Sequence, residues 1–171
     1  MKKYELTAEF IEKWGKKLFR IKALISFGSV EAGELGGYVE KEDNLAQDGD
    51  AWVYGNAEVC GDAWVCGNAR VYGNARVCGD AEVYGNADYL LIGRIGSRFS
   101  FTTFFKNKDK GITVSCGCFL GTIAEFRAKV TDTHGNNKHA KIYNLAADMA
   151  ELQILGEEYF DKLNTNKSEP F

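Results

Sequence analysis

The sequence predicts a mainly β chain: a short hexapeptide-repeat parallel β-helix of about two coils with α+β caps, followed by a small C-terminal α+β domain. Three observations carry this. A six-residue beat runs from Gly49 to Ala87 as GDAWVY, GNAEVC, GDAWVC, GNARVY, GNARVC, GDAEVY and GNA. Alanine and valine hold fixed places in it, and glycine returns two positions after each valine. The segments before Asn44 and after Asp88 lack the beat and read as ordinary strands and helices.

The first segment opens with Thr7, whose hydroxyl suits the N-cap of a short helix through about Lys16. KKLFRIKALISF then alternates as a strand over about Lys17 to Ser26. A Gly-rich connection follows and merges into the first hexad, and Leu45 holds an alanine-type place one beat early, so the coil begins near Asn44. Residues 1–43 thus form a helix–strand cap and residues 44–88 the repeat.

Within each hexad Ala and Val point to one side, because side chains alternate along a strand. Gly followed by Asn or Asp marks a corner that needs positive φ. Three hexads per triangular turn place residues 18 apart on top of one another. Residues 49–66 and 67–84 agree at 13 of 18 places, although a shift of 12 scores almost as well. An 18-residue register stacks Glu58 on Arg76, Trp52 on Arg70, Tyr54 on Tyr72, Cys60 on Cys78 and Asp62 on Asp80. The last pair reads either as solvated corner carboxylates or as a weak cation site. Trp52, Tyr54, Trp64, Tyr72 and Tyr84 are expected to project outward beside the acidic Glu58, Asp62, Asp80 and Glu82, as an aromatic and acidic binding face.

After Asp88 the residues 88–96, 98–106 and 111–116 read as strands, with NKDKG as a turn. Thr122 opens an amphipathic helix that HGNN ends, and a second helix covers about His139 to Leu155. Residues 89–160 form this α+β domain, and 161–171 read as a flexible tail.

Charge is segregated although the net is only −3. Residues 1–22 carry +4, 31–88 carry −9, 89–141 carry +6 and 142–171 carry −4. An acidic repeat suits a basic protein partner better than nucleic acid, so direct nucleic-acid binding is not expected. No apolar run is long enough to span a bilayer, and no signal peptide opens the chain. Five cysteines without a secretory signal argue for a reducing cytoplasm over a disulfide framework.

The strongest chemical constellation is Cys116, Cys118, His134 and His139. The cysteines sit two apart at a strand end, and the only two histidines of the chain flank the helix–helix turn. Two soft and two borderline ligands suit a closed structural zinc site, which would staple a small domain. Two buried thiols and two loop histidines are the alternative, and Asp132 is a substitute ligand. Cys60, Cys66 and Cys78 are poorer candidates because their places face outward from the coil.

The beat resembles the hexapeptide acyltransferases and the γ-type carbonic anhydrases, which would imply a histidine near the coil. No histidine precedes His134, so the base and metal ligands of those enzymes are missing from the repeat. The chain is therefore expected to be no enzyme. Over nearly its whole length, through KYELT, GELGGYVEKEDNLAQDGDAWVYGNA and TTFF…CGCF…THGNNKHAK, it resembles small hexapeptide-repeat proteins of phages and prophages of Gram-positive bacteria. Some of these are similar to anti-CRISPR inhibitors of type II (Cas9) systems, among which zinc-containing examples occur. The resemblance implies a binding protein in the host bacterial cytoplasm that blocks nucleic-acid loading of a defence nuclease such as Cas9, with a homodimer allowed. The alternatives are a protein sequestering a small signalling ligand, such as a nucleotide held by Arg94, Arg98 and nearby aromatics, or a degenerate acyltransferase.

Overall fold

A computed structural model of the chain describes residues 1–157 and 159, and the expected flexible tail at 161–171 lies outside them. The chain divides into two compact units, Met1–Asn86 and Ala87–Phe171.

The first unit opens with an antiparallel hairpin of β1 (Tyr4–Lys13) and β2 (Lys16–Ala23), turning at Trp14 and Gly15. The helix expected from Thr7 is therefore a strand. The Thr7 hydroxyl does accept the Glu9 amide at 3.2 Å, but it does so where the β1–β2 register shifts between Leu6 and Phe10. Pairing with β2 supplies the backbone partners that a lone helical turn would lack, so tertiary context overrides the local cap. Lys3 ties the entry of β1 down. It is 2% exposed, and its ammonium donates to the carbonyls of Asp48, Gly49 and Ala51 at 3.1, 3.3 and 3.0 Å.

β3 (Leu35–Val39) pairs antiparallel with β2 and parallel with the second repeat strand. The repeat supplies β4 (Trp52–Val53), β5 (Glu58–Val59), β6 (Trp64–Val65), β7 (Arg70–Val71), β8 (Arg76–Val77) and β9 (Glu82–Val83). Parallel pairs form at an 18-residue offset: Trp52 with Arg70, Glu58 with Arg76 and Trp64 with Glu82. The expected mainly β solenoid is nevertheless corrected. Each hexad spends most of its length on a corner, leaving strands of two residues. One ladder is absorbed into a mixed five-stranded sheet of order β1-β2-β3-β5-β8, and the others stand as the two-stranded pairs β4-β7 and β6-β9. With the helices of the second unit, the chain is mixed α/β, built on several small sheets.

The alanines and valines of the beat are buried from Ala51 to Val83 and form the interior of this unit. The outward-facing expectation fails at Trp52, Glu58, Cys60, Cys66 and Cys78, all of which are buried. Trp52 is fully buried, edge-on to Tyr4 at 6.1 Å and to Phe27 at 5.4 Å. Leu18 and Ile11 of the hairpin and Tyr38 of β3 pack with Cys60 and Cys78 in one apolar cluster, so the two sulfurs are shielded from solvent. They form a disulfide with Cα atoms 4.6 Å apart, against the expectation of reduced thiols.

The second unit is an antiparallel meander of β10 (Tyr89–Ile95), β11 (Ser100–Lys106), β12 (Ile112–Cys116) and β13 (Phe119–Thr122). Helices α1 (Ile123–His134) and α2 (Lys138–Leu155) pack on it. Phe104, Ile112, Val114, Phe126, Val130, Tyr143 and Ala147 form its core. Thr122 and Glu125 make a reciprocal capping box, with Thr122 N–H donating to the Glu125 carboxylate at 2.8 Å. Asn137 caps α2 by accepting the amides of His139 and Ala140 at 2.8 and 3.2 Å. Arg127 joins the helices, donating to Asp148 and Glu151 at 2.7 Å each. Among the described residues, no helix is long and apolar enough to cross a membrane.

Candidate functional site

The second unit contains a cavity of about 390 Å³ between the β10–β11 hairpin tip, the β12–β13 turn and the helices. Ser97, Arg98 and Ser100 come from the first tip and Cys116, Gly117 and Cys118 from the second. Lys129, Thr133 and His134 project from α1, and the aromatic residues Phe119, Phe126 and Tyr143 complete the wall.

The local sequence explains why these groups converge. Cys116 ends β12 and Phe119, its partner, opens β13, so Gly117 and Cys118 form the turn between them, and Gly117 adopts φ +58°. Gly96, at φ +74°, lies so close to the Tyr143 hydroxyl that any side chain there would strike it. That approach seats the Ser97–Arg98 tip against α2. Phe99 follows with φ +47° and stands 71% exposed.

At the cavity wall, the buried Thr102 hydroxyl donates to Cys116 Sγ at 3.2 Å, and the Cys116 thiol faces the Tyr143 oxygen at 4.0 Å. Burial pushes the Tyr143 phenol up to about 12; the neighbouring Cys116 adds to this and Arg98 opposes it. Tyr143 is thus a neutral hydroxyl at physiological pH. His134 stacks on its ring with centroids 5.8 Å apart.

Of the four expected zinc ligands, Cys116, Cys118 and His134 line the same cavity. His139 sits beside His134, ring centroids 5.7 Å apart, and its buried Nδ1 has no hydrogen-bond partner among the described residues. Among the described residues, however, no three His, Cys, Asp or Glu side chains converge closely enough to hold a metal ion. The donors suit zinc in kind and share one region, but they do not form a closed shell. Asp132, the substitute ligand, pairs with Lys129 at 3.2 Å and lines a different, shallower cleft with Leu120 and Ala128.

The aromatic and acidic face of the first unit is smaller than expected. Trp52 and Glu58 are buried, and Glu58 is held in an ion pair with Lys13. Tyr54 is half-buried and stacks on Tyr72 at 4.4 Å. Asp80 and Glu82 are half-buried, while Asp62 is exposed and pairs with Lys41 at 3.0 Å. Trp64, Tyr72 and Tyr84 remain exposed, with Trp64 edge-on to Tyr84 at 5.7 Å. Beside Trp64 lies a shallow cleft lined by Glu42, Asp43 and Gln47.

Arg98 is thus placed in the cavity, whereas Arg94 is not among its lining residues. Ser97, Ser100, Lys129 and Tyr143 were not singled out from sequence. The one available signal was the polar Gly-Ser-Arg run between two strands. No family model matches the chain, and no curated protein matches it.

Proposed function

We propose that the chain is a non-enzymatic binding protein that captures a small organic anion in the cavity of its C-terminal unit. The ligand class that fits is a phosphate-bearing planar ring, such as a signalling nucleotide. One observation supports this above others: Arg98 and Lys129, three hydroxyl residues and a set of aromatic rings line a single cavity of about 390 Å³. Cations and hydroxyls suit phosphoryl oxygens, rings suit a base, and the volume lies within the small-molecule range. In a phage protein such capture would withdraw a host signal. Mass spectrometry of material released on denaturation, followed by calorimetric titration with nucleotides, tests the reading. Arg98→Ala is expected to weaken binding at least about tenfold. Failure of nucleotides to bind, or equal binding by Arg98→Ala, would remove it.

A second reading, inhibition of a host defence nuclease such as Cas9, is supported by exposed Trp64 and Tyr84 beside Glu42 and Asp43. Such a surface accepts an arginine or lysine of a basic partner through cation–π and ion-pair contacts. A guide-programmed cleavage assay with a pull-down tests it, and joint Trp64→Ala and Tyr84→Ala substitution should release the nuclease. Zinc on Cys116, Cys118, His134 and His139 is proposed on donor chemistry alone. Elemental analysis should then find about one zinc per chain, absent from His134→Ala.

A further inference from the structure

The five cysteines of the chain fall in different surroundings. Cys60 and Cys78 share a buried bond in the first unit, and Cys66 is a buried thiol. Cys116 and Cys118 are free, the first half-buried and the second exposed, and both line the cavity of the second unit.

Only Gly117 separates these two thiols. Cys116 pairs with Phe119 across the β12–β13 ladder, so the cysteines hold the first and third places of a tight turn. Residues two apart in an extended chain have Cα atoms about 7 Å apart. The left-handed Gly117, at φ +58°, turns the chain more tightly than that. A disulfide needs Cα atoms roughly 4.4–6.8 Å apart, and with both cysteines on the cavity wall an internal bond needs chiefly side-chain rotation.

Two neighbours bear on reactivity. The Thr102 hydroxyl donates to Cys116 Sγ at 3.2 Å, which steadies negative charge arriving on that sulfur as a leaving group. Arg98 overhangs the turn, since a Cβ on Gly117 would lie 3.8 Å from one of its guanidinium nitrogens. Lys129 lines the same cavity. This positive field draws in an anionic reagent.

We propose that Cys116 and Cys118 form a redox-active dithiol that exchanges with an anionic low-molecular-weight disulfide, with glutathione disulfide as its representative. The exposed Cys118 sulfur, giving up its proton, attacks one sulfur of the reagent. The reagent's S–S bond breaks, and one thiol leaves with that proton. Cys116 then attacks Cys118 Sγ, the mixed disulfide breaks, and the second thiol leaves with the Cys116 proton. Two cysteine thiols are thus oxidised to one Cys116–Cys118 bond, and the reagent is reduced to two thiols. An exposed bond in so small a ring is of the labile kind, so excess thiol reverses the reaction. The Cys60–Cys78 bond is buried away from the same reagents. The exchange needs only the turn and its cationic rim, and holds whether or not the cavity takes a nucleotide.

The full chain is equilibrated in buffers of glutathione and its disulfide, quenched in acid, alkylated and cut with trypsin. Residues 111–127 emerge as one peptide that holds Cys116 and Cys118 and no other cysteine. As the share of disulfide rises, that peptide should lose both alkyl groups and two hydrogens. Excess glutathione should restore them while Cys60–Cys78 stays bonded. Cys116→Ser should stop at one glutathione carried on Cys118. Arg98→Ala should lower the rate with glutathione disulfide, relative to that with cationic cystamine, by about fivefold or more. A peptide that keeps two alkyl groups in every buffer overturns the proposal, as it would if zinc held both thiols until the acid quench. So does glutathione fixed on Cys118 of the native chain with no ring closed, or a Cys116–Cys118 bond that excess glutathione leaves intact.

Discussion

Asn44 shows how one amide can do the work of a turn. It is fully buried, donates to the carbonyls of Gly61 and Ala63 at 3.0 and 2.8 Å, and accepts the Lys41 amide at 2.9 Å. Asn44→Ala would leave these groups unpaired, and a loss of about 2–3 kcal/mol is expected in urea unfolding. Tyr143 makes a pH prediction. Between the ordinary tyrosine value near 10 and its own of about 12, the unfolded side chain is ionised while the folded one keeps its proton. The folded state then binds more protons, so stability falls as pH rises through that window. Thermal unfolding followed by tyrosinate absorbance checks the sign, and Tyr143→Phe should flatten the fall. At this scale the sequence was only partly legible. Arg98 could be read from its place between two strands, whereas Tyr143 belongs to the site only because Gly96 lets a distant hairpin tip settle on its hydroxyl. Trp52 was misread because residues that cover it, Tyr4 and Phe27, lie far away in sequence.

Among the elements, β3 is the one most exacting about composition. A Cβ at Gly37 would lie 2.5 Å from the Ala57 carbonyl oxygen and 2.7 Å from Val53 Cγ1. The strand can approach the repeat only because nothing projects there. Gly37→Ala is expected to cost several kcal/mol, roughly 2–4, and to loosen the amides of Tyr38 and Glu40, which donate to Ala57 and Val59. Hydrogen exchange at those two amides would report it. Helix α1 offers a milder test, since Thr122→Ala removes half of its capping box at a cost of about 1 kcal/mol. Both helices could be read from caps and periodicity, because those signals are local. The strand β1 could not, because its partner is another strand and its Thr7 carries a cap-like bond in either conformation. The repeat was legible as stacked Ala and Val, but not in the way its ladders distribute among separate sheets, which depends on β3 joining one of them.

For the molecule as a whole, the Cys60–Cys78 bond makes stability conditional on redox state in one unit only. The bond joins residues separated by 18 positions in the first unit, and closing such a loop is worth roughly 3 kcal/mol in the chain-entropy account. A reductant should lower the melting transition of residues 1–86 and leave that of the second unit in place. Calorimetry with and without reductant, repeated on Cys60→Ser, distinguishes this from a single cooperative transition. The odd number of cysteines argued against such a bond because count alone says nothing of which thiols the fold brings together.

The fixed 18-residue offset between paired repeat strands also limits how this chain can change its length. Adding a single hexad between Glu58 and Arg76 would set Arg70 opposite Glu58 in place of Arg76, removing one would set Glu82 there, and either change would break the Cys60–Cys78 match. A duplication of three hexads would preserve every partner. Descent by unequal exchange can thus lengthen or shorten this segment only in steps of eighteen, a grammar of allowed insertions written into its corners.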